Sequence, residues 1–361
     1  MTQTTDPVRV LLCDDSATVR AAMARVLEAE PGIRIVGRVG NGRQALATIE
    51  ALPEADRPQV VLLDLEMPVM DGMTALPLLL RMSPKPAVIV ASTLTQRGAA
   101  ATMAALRAGA ADYVPKPAAA GGGLNDPGFR TELLAKVRGW ARVGRRAAVR
   151  PAPPVAAIPG GTGPVPRAIG IGCSTGGPQA LSALVPRLGR GLPVPVLVVQ
   201  HMPKGFTTML ADHLDRLGGP GSAEAREGEV LRPGRIYLAP GDRHLLVEGL
   251  PGGALVARLS EGPPENFCRP AVDPMLRSLA VACGGRVLVA ILTGMGQDGL
   301  AGCRAVAALG GTVLAQDEAS SVVWGMPGAV AKAGLARALL PPEALGEHIR
   351  AAAMKRAGAV A

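Results

Sequence analysis

Short apolar runs alternate with amphipathic, Ala-rich stretches in two separate parts of the chain. In the first, Val8 to Cys13, Ile33 to Gly37, Val60 to Leu63, Ala87 to Ala91 and Tyr113-Val114 have the length and apolar character of strands. The segments between them, such as Ala17 to Ala29 and Thr74 to Arg81, carry helical spacing. Five successive βα units predict a doubly wound parallel sheet.

The pattern then breaks. Residues 118 to about 128 are rich in Ala and Gly, and Arg130 to Arg142 shows helical spacing through Leu133, Leu134, Val137 and Trp140. From Gly144 to Pro166, six prolines and four glycines occur in 23 residues, a composition that cannot bury a core. The expected organisation is a first domain over residues 1–125, a helix and basic linker over 126–166, and a second domain over 167–356. From Arg167 the βα alternation resumes. Ala168 to Ile171, Val194 to Val199 and Val287 to Leu292 read as strands, and Pro178 to Leu188 as a helix. Gly234 to Gly241 and His244 to Val247 predict a strand pair joined at a Pro-Gly turn. No repeat of solenoid period is present.

The second domain places distinctive residues at predicted strand ends. Ser174 lies between Gly172 and Gly176 where a strand turns into a helix, a position that exposes a hydroxyl near helix N–H groups. Alone, it reads equally as a helix cap. His201 directly follows one apolar strand and Asp298 follows another, so all three lie at carboxyl ends of parallel strands, where open α/β sheets build their sites. Together they predict a Ser-His-Asp hydrolase site in which Asp298 orients the imidazole, His201 takes the serine proton and Ser174 attacks a carbonyl. The chain order Ser, His, Asp differs from that of α/β-hydrolases, so a different fold is expected.

The first domain shows a second cluster of the same kind. Asp14 and Asp15 follow the first strand, Asp64 ends the third, Ser92 and Thr93 follow the fourth, and Lys116 follows the fifth. Singly, Asp-Asp before a helix is a dipole complement and Lys116 a surface lysine. Jointly, three carboxylates in one crevice call for a hard cation such as Mg²⁺, with Lys116 supplying charge for a phosphoryl group. The Pro115-Lys116-Pro117 setting stiffens that lysine and allows a cis peptide before Pro117.

Composition narrows the classes. Five dispersed cysteines (Cys13, Cys173, Cys268, Cys283 and Cys303) without a C-x-x-C pair fit reduced thiols of a cytoplasmic protein. The N-terminal residues lack the features of a signal peptide, and no apolar run approaches the ~20 residues of a membrane helix. Net charge is +9, but residues 1–117 are neutral, residues 118–166 carry +5 and residues 167–361 carry +4. An excess concentrated in a linker, with aromatics at 2%, argues against nucleic acid.

The first domain resembles the response-regulator receivers through Asp14-Asp15, Asp64 with Met67-Pro68 and Asp71-Gly72, Ser92, and Tyr113-Val114-Pro115-Lys116-Pro117. The second resembles the chemotaxis protein-glutamate methylesterases of the CheB family. The stretches are Gly172 to Gly177, Gln200-His201-Met202-Pro203, Ala239-Pro240-Gly241 with His244, Arg269 to Asp273, Leu292 to Gly299, and Ala315 to Pro327. The resemblance covers residues 8–117 and 168–342 and implies a flavodoxin-like receiver followed by a Rossmann-like catalytic domain. It implies Asp64 as phosphoacceptor, and Mg²⁺ held by Asp15, Asp64 and the Glu66 backbone carbonyl with Asp14 close by. Ser92 and Tyr113 become switch residues. In the second domain it implies the triad Ser174, His201 and Asp298, with Thr175 and Met295 N–H groups as oxyanion donors and no cofactor. The implied activity is phosphorylation-activated hydrolysis of glutamate γ-methyl esters on chemoreceptors, with glutamine deamidation as a second activity and a chemotaxis histidine kinase as phosphodonor.

Two rivals remain. Gly170-Ile171-Gly172 begins like a dinucleotide fingerprint, but its third glycine position is Thr175 and no acid occurs between Arg167 and Ala211. A receiver controlling a non-catalytic binding module is the alternative from another class.

Overall fold

A computed structural model describes residues 6–93, 95–116, 127–147 and 165–355. They fall into two compact units, the first with described residues up to Ala147 and the second from Val165.

The first unit is a five-stranded parallel sheet of β1 (Val8–Cys13), β2 (Ile33–Val39), β3 (Val60–Asp64), β4 (Ala87–Ser92) and β5 (Asp112–Pro115), in the order β2-β1-β3-β4-β5. Helices α1 (Ala17–Glu28), α2 (Gly42–Ala51), α3 (Gly72–Leu79) and α4 (Gln96–Arg107) connect consecutive strands. Each begins at a residue whose side chain satisfies an orphan N–H: Ser16, Asn41, Asp71 and Thr95 respectively. Strand β3 is buried along its whole length, as a central strand covered on both faces must be.

Helix α5 (Pro127–Ala147) corrects the expected boundary at residue 125. Its Phe129, Leu133, Leu134, Val137 and Ala141 are buried in the same cluster as Val10, Val60, Ile89 and Val114 of the sheet. The apolar face read from the sequence thus has the sheet to cover, and the helix belongs to the first unit. Lys136 is carried into this interface. It is paired with Glu132 at 2.6 Å and with Asp112 at 3.6 Å, and its ammonium lies 4.6 Å from the centre of the Tyr113 ring. Burial opposes its charge, but Asp112 and Glu132 outweigh it and raise its pKa. Pro117, with the peptide bond before it, and most of the Pro/Gly-rich stretch lie outside the described residues.

The second unit is built on a seven-stranded sheet in the order β14-β13-β12-β6-β7-β9-β8, parallel at every pairing. Its elements run β6 (Ala168–Cys173), α6 (Gly177–Leu188), β7 (Val196–Gln200), α7 (Phe206–Asp215), β8 (Gly221–Glu224) and β9 (Arg235–Leu238). A hairpin of β10 (His244–Gly249) and β11 (Leu255–Ser260) follows, and then α8 (Val272–Ala282), β12 (Val287–Ile291), α9 (Leu300–Ala308), β13 (Thr312–Gln316), α10 (Met326–Lys332), β14 (Leu339–Leu340) and α11 (Pro342–Met354). The expected pairing of the β9 and β10 segments is not formed. Strand β9 lies between β7 and β8 in the main sheet, while β10 runs antiparallel to β11, its neighbour across a five-residue turn.

Strand β6 has β7 on one side and β12 on the other. The chain leaves it in one direction and returns on the opposite flank, which opens a crevice at the carboxyl ends of these three strands. Among the described residues, no helix is long and apolar enough to cross a membrane.

Candidate active site

The parallel register brings the three candidate residues together. Cys173 of β6 is paired with Gln200 of β7, so Ser174 and His201 each begin the loop one residue beyond that pair. On the other flank Gly172 pairs with Ile291, and the Ser174 N–H donates to the Thr293 carbonyl at 3.0 Å. The chain turns sharply after Ser174. Gly176 has φ +75, a left-handed conformation, and a Cβ there would stand 2.5 Å from a Val322 methyl, so only glycine fits. Gln200, itself buried, donates from Nε2 to the Ser174 carbonyl at 2.9 Å and to that of His201 at 3.1 Å, holding the two loops in fixed relation.

His201 Nε2 lies 2.7 Å from Asp298 Oδ2. Asp298 also accepts from the N–H groups of Val272 at 2.6 Å, Asp273 at 3.1 Å and Gly299 at 2.9 Å, and from Asn266 Nδ2 at 3.0 Å. Two of these donors are the first N–H groups of α8, so the carboxylate also sits at a helix N-terminus. Burial opposes its charge, yet His201 and the backbone donors prevail and hold the carboxyl below its ordinary range. Burial likewise disfavours the imidazolium of His201, but Asp298 and Cys268 outweigh it and lift its pKa to about 10.

The ring is oriented in the opposite sense from the serine-protease template, where the acid takes Nδ1. Here Asp298 takes Nε2 and leaves Nδ1 as the nitrogen that can receive a serine proton. Among the described residues Ser174 Oγ makes no hydrogen bond, and Nδ1 is instead 3.4 Å from the thiol of Cys268. The serine–imidazole hydrogen bond is therefore not made in this state. Apo sites often carry loose catalytic hydrogen bonds of this kind.

Backbone donors complete the crevice. Among the described residues the N–H groups of Thr175 and Met295 donate no hydrogen bond, although Thr175 is buried. Their loops are clasped together. Thr293 Oγ1 donates to the Thr175 carbonyl at 2.9 Å, and Gly325 and Met326 N–H groups donate to the Gly294 carbonyl at 3.0 and 2.9 Å. A Cβ at Gly294 would come within 2.3 Å of Met326 Sδ and 2.9 Å of Ser174 Cβ. Gly294→Ala is accordingly expected to displace the serine and lower kcat by roughly 10²-fold, at a stability cost of about 1–3 kcal/mol. Turnover measured together with thermal melting checks this, and an unchanged kcat would show that the two loops move independently.

Asn266 and Cys268 were not among the residues singled out for chemistry from the sequence. Cys268 directly precedes Arg269 to Asp273, a stretch notable in sequence only for its resemblance, and Asn266 lies two residues before Cys268; only the fold brings them to His201 and Asp298.

In the first unit, Lys116 Nζ lies 2.6 Å from Asp64 Oδ2 and 2.9 Å from Asp14 Oδ2. Burial raises the Asp64 pKa against the pull of Lys116. Burial opposes the charge of Lys116, but the two carboxylates prevail and its pKa is raised. Carboxylate oxygens of Asp14, Asp15 and Asp64 lie within 4.8 Å of one another, a set of hard oxygen donors that one lysine cannot balance and that suits a divalent cation. A cavity of about 230 Å³ beside them is lined by Glu66, Ser92 and Lys116. Ser92 Oγ donates to the Gly98 carbonyl at 3.0 Å, and Tyr113 is buried.

Comparison with known proteins agrees with this architecture. Residues 169–349 match the family model described as CheB methylesterase, and residues 10–122 match the response regulator receiver domain. A protein-glutamate methylesterase/protein-glutamine glutaminase from Azospirillum brasilense is 49% identical over 98% of this chain and 94% of its own. One of the same description from Paramagnetospirillum magneticum is 48% identical over 98% of both chains. The crystal structure of the Thermotoga maritima CheB methylesterase catalytic domain, 40% identical, superposes with a TM-score of 0.50, covering 52% of this chain and 98% of that one. With both domain models matched in order and nearly full-length identity close to one half, the chain belongs to the CheB methylesterase family, with a response-regulator receiver ahead of the catalytic domain.

Proposed function

We propose that this protein hydrolyses glutamate γ-methyl esters on chemoreceptors, deamidates receptor glutamines at the same site, and is activated by phosphorylation of its receiver by a histidine kinase. The observation that carries the reading is the 2.7 Å pair of His201 and Asp298 at strand ends flanking that of Ser174. In the proposed reaction Ser174 Oγ attacks the ester carbonyl carbon and passes its proton to His201 Nδ1. The oxyanion is met by the free N–H groups of Thr175 and Met295, each such donor lowering the barrier by roughly 3 kcal/mol. Collapse expels the methoxy group, which leaves as methanol with the proton from His201. Water, deprotonated by His201, then attacks the acyl-serine carbonyl and releases the glutamate with Ser174 restored. A glutamine side chain follows the same course with ammonia leaving.

In the receiver, Asp64 is the proposed phosphoacceptor, with Asp14, Asp15, Asp64 and the Glu66 carbonyl as candidate holders of Mg²⁺. The ion would supply positive charge for phosphoryl oxygens. Lys116 provides a second, permanent charge there, and Ser92 and Tyr113 are the proposed switch residues.

The test is methanol release from methylated receptor fragments, with and without a small acyl phosphate and Mg²⁺. Release should rise with the phosphodonor, and the rise should vanish in excess chelator and in Asp64→Ala. An increase that survives both would remove the acidic pocket from the account. A non-catalytic output module would leave Ser174 unlabelled by a fluorophosphonate.

A further inference from the structure

The turn Glu265 to Cys268 carries two inward residues and one outward residue. The N–H of Glu265 donates to the Cys268 carbonyl at 3.1 Å, and that of Cys268 to the Glu265 carbonyl at 2.9 Å. Its central residues, Asn266 and Phe267, have φ +51 and +63. Two successive positive φ angles mark the turn geometry that favours Asn followed by Gly. Asn266 conforms and points inward, its Nδ2 shared between Asp298 Oδ1 and Asp273 Oδ2 at 3.0 Å each. Cys268 is inward as well, against His201 Nδ1.

Phe267 departs from the pattern. An aromatic occupies the position where glycine relieves backbone strain. Its ring is fully exposed, at 104%, whereas the chain's other two phenylalanines, Phe129 and Phe206, are buried. The charged residues flanking it in the chain are engaged elsewhere: Glu265 is paired with Arg277 at 2.6 Å, and Arg269 donates to the backbone carbonyls of Glu261 and Gly262 at 3.0 Å. At Phe267 the turn therefore presents an apolar ring to solvent. Its backbone neighbours, one residue or ~3.8 Å of Cα spacing to either side, hold the acid and the base of the site.

We infer that Phe267 is a substrate-contacting anchor that packs on an apolar side chain next to the glutamyl ester in the substrate polypeptide. The inference rests on the esterase reading above and adds a specificity determinant to it. The turn sits directly against Asp298 and His201, the pair that serves Ser174, so Phe267 borders the site at which the ester of a polypeptide would be held. An aromatic there offers a large contact area at low conformational cost, the property that makes such residues dominant in recognition. It also accounts for a strained backbone at a position that contributes nothing to the core.

The experiment compares Phe267→Gly and Phe267→Tyr with the parent, all full length, on a methylated receptor fragment and on p-nitrophenyl acetate. Phe267→Gly should melt at the same or a higher temperature. Its KM for the receptor fragment should rise by about tenfold with kcat little changed, as loss of one aromatic anchor implies. Hydrolysis of the small ester should be unaffected, and Phe267→Tyr should retain the parent KM. An unchanged KM for the fragment in Phe267→Gly overturns the anchor alone. A parallel fall on both substrates overturns it in favour of a purely structural turn, and a parallel rise in favour of an internal cover. Failure of the parent to release methanol, with the small ester still cleaved, removes the substrate reading and the anchor with it.

Discussion

Ser174→Ala is expected to eliminate ester hydrolysis, a loss on the order of 10⁶ in kcat by analogy with nucleophile removal in serine hydrolases, while leaving the fold intact. The structure makes the two effects separable. Ser174 is anchored through its backbone, by its N–H to Thr293 and by its carbonyl to Gln200, and its hydroxyl makes no hydrogen bond among the described residues. Removing the hydroxyl thus breaks no internal contact and should change stability by less than about 0.5 kcal/mol. The check pairs methanol release with thermal melting. A folded variant with activity within tenfold of the parent would mean that another group is the nucleophile.

Asp298→Asn is expected to fail on both counts. The carboxylate accepts three hydrogen bonds at Oδ1 and two at Oδ2, every one from a donor. An amide can accept at one atom only, and its NH₂ must then face donors. If the NH₂ faces His201, it donates to Nε2 and forces the ring proton onto Nδ1, the nitrogen proposed to take the serine proton. It also meets the Val272 N–H, leaving a buried donor unsatisfied. The expected cost is about 1–3 kcal/mol in stability and a roughly 10⁴-fold loss in kcat, the penalty of a wrong tautomer. The pH dependence should shift as well. General-base action needs neutral imidazole, so the parent rate should climb as pH rises through a His201 pKa lifted to about 10. Without the Asp298 carboxylate the imidazolium loses its main support, and the rising limb should move to lower pH. A kcat–pH profile and a melting curve measured on the same variant decide this. Turnover and limb unchanged from the parent would reduce Asp298 to a cap on α8.

Much of this was legible because the site is assembled from strand ends. A parallel strand buried on both faces announces itself as a short apolar run, and the next residue lies by construction at the edge where sites form. Ser174, His201 and Asp298, and likewise Asp14, Asp64 and Lys116, each follow or end such a run, so their convergence could be anticipated without knowing the strand order. The caps at Ser16, Asn41 and Asp71 are local features too, since each bonds an N–H only three positions away.

What stayed hidden depended on partners distant in the chain. The apolar stripe of α5 was plain, but its neighbours are β1, β3, β4 and β5, and no local signal distinguishes a helix on that sheet from one in a linker. β9 and β10 were adjacent in sequence and looked like a pair, yet β9 finds β7 and β8 because a buried position in the parallel sheet satisfies its backbone on both edges. The sense of the imidazole ring was decided by where α8 delivers the Val272 and Asp273 N–H groups that fix Asp298. Asn266 and Cys268 joined the site only through the turn that aims them inward. Local periodicity and the chemistry at element ends determined which residues could act; tertiary packing decided which atoms face one another, because that depends on contacts between segments that carry no signal of one another along the chain.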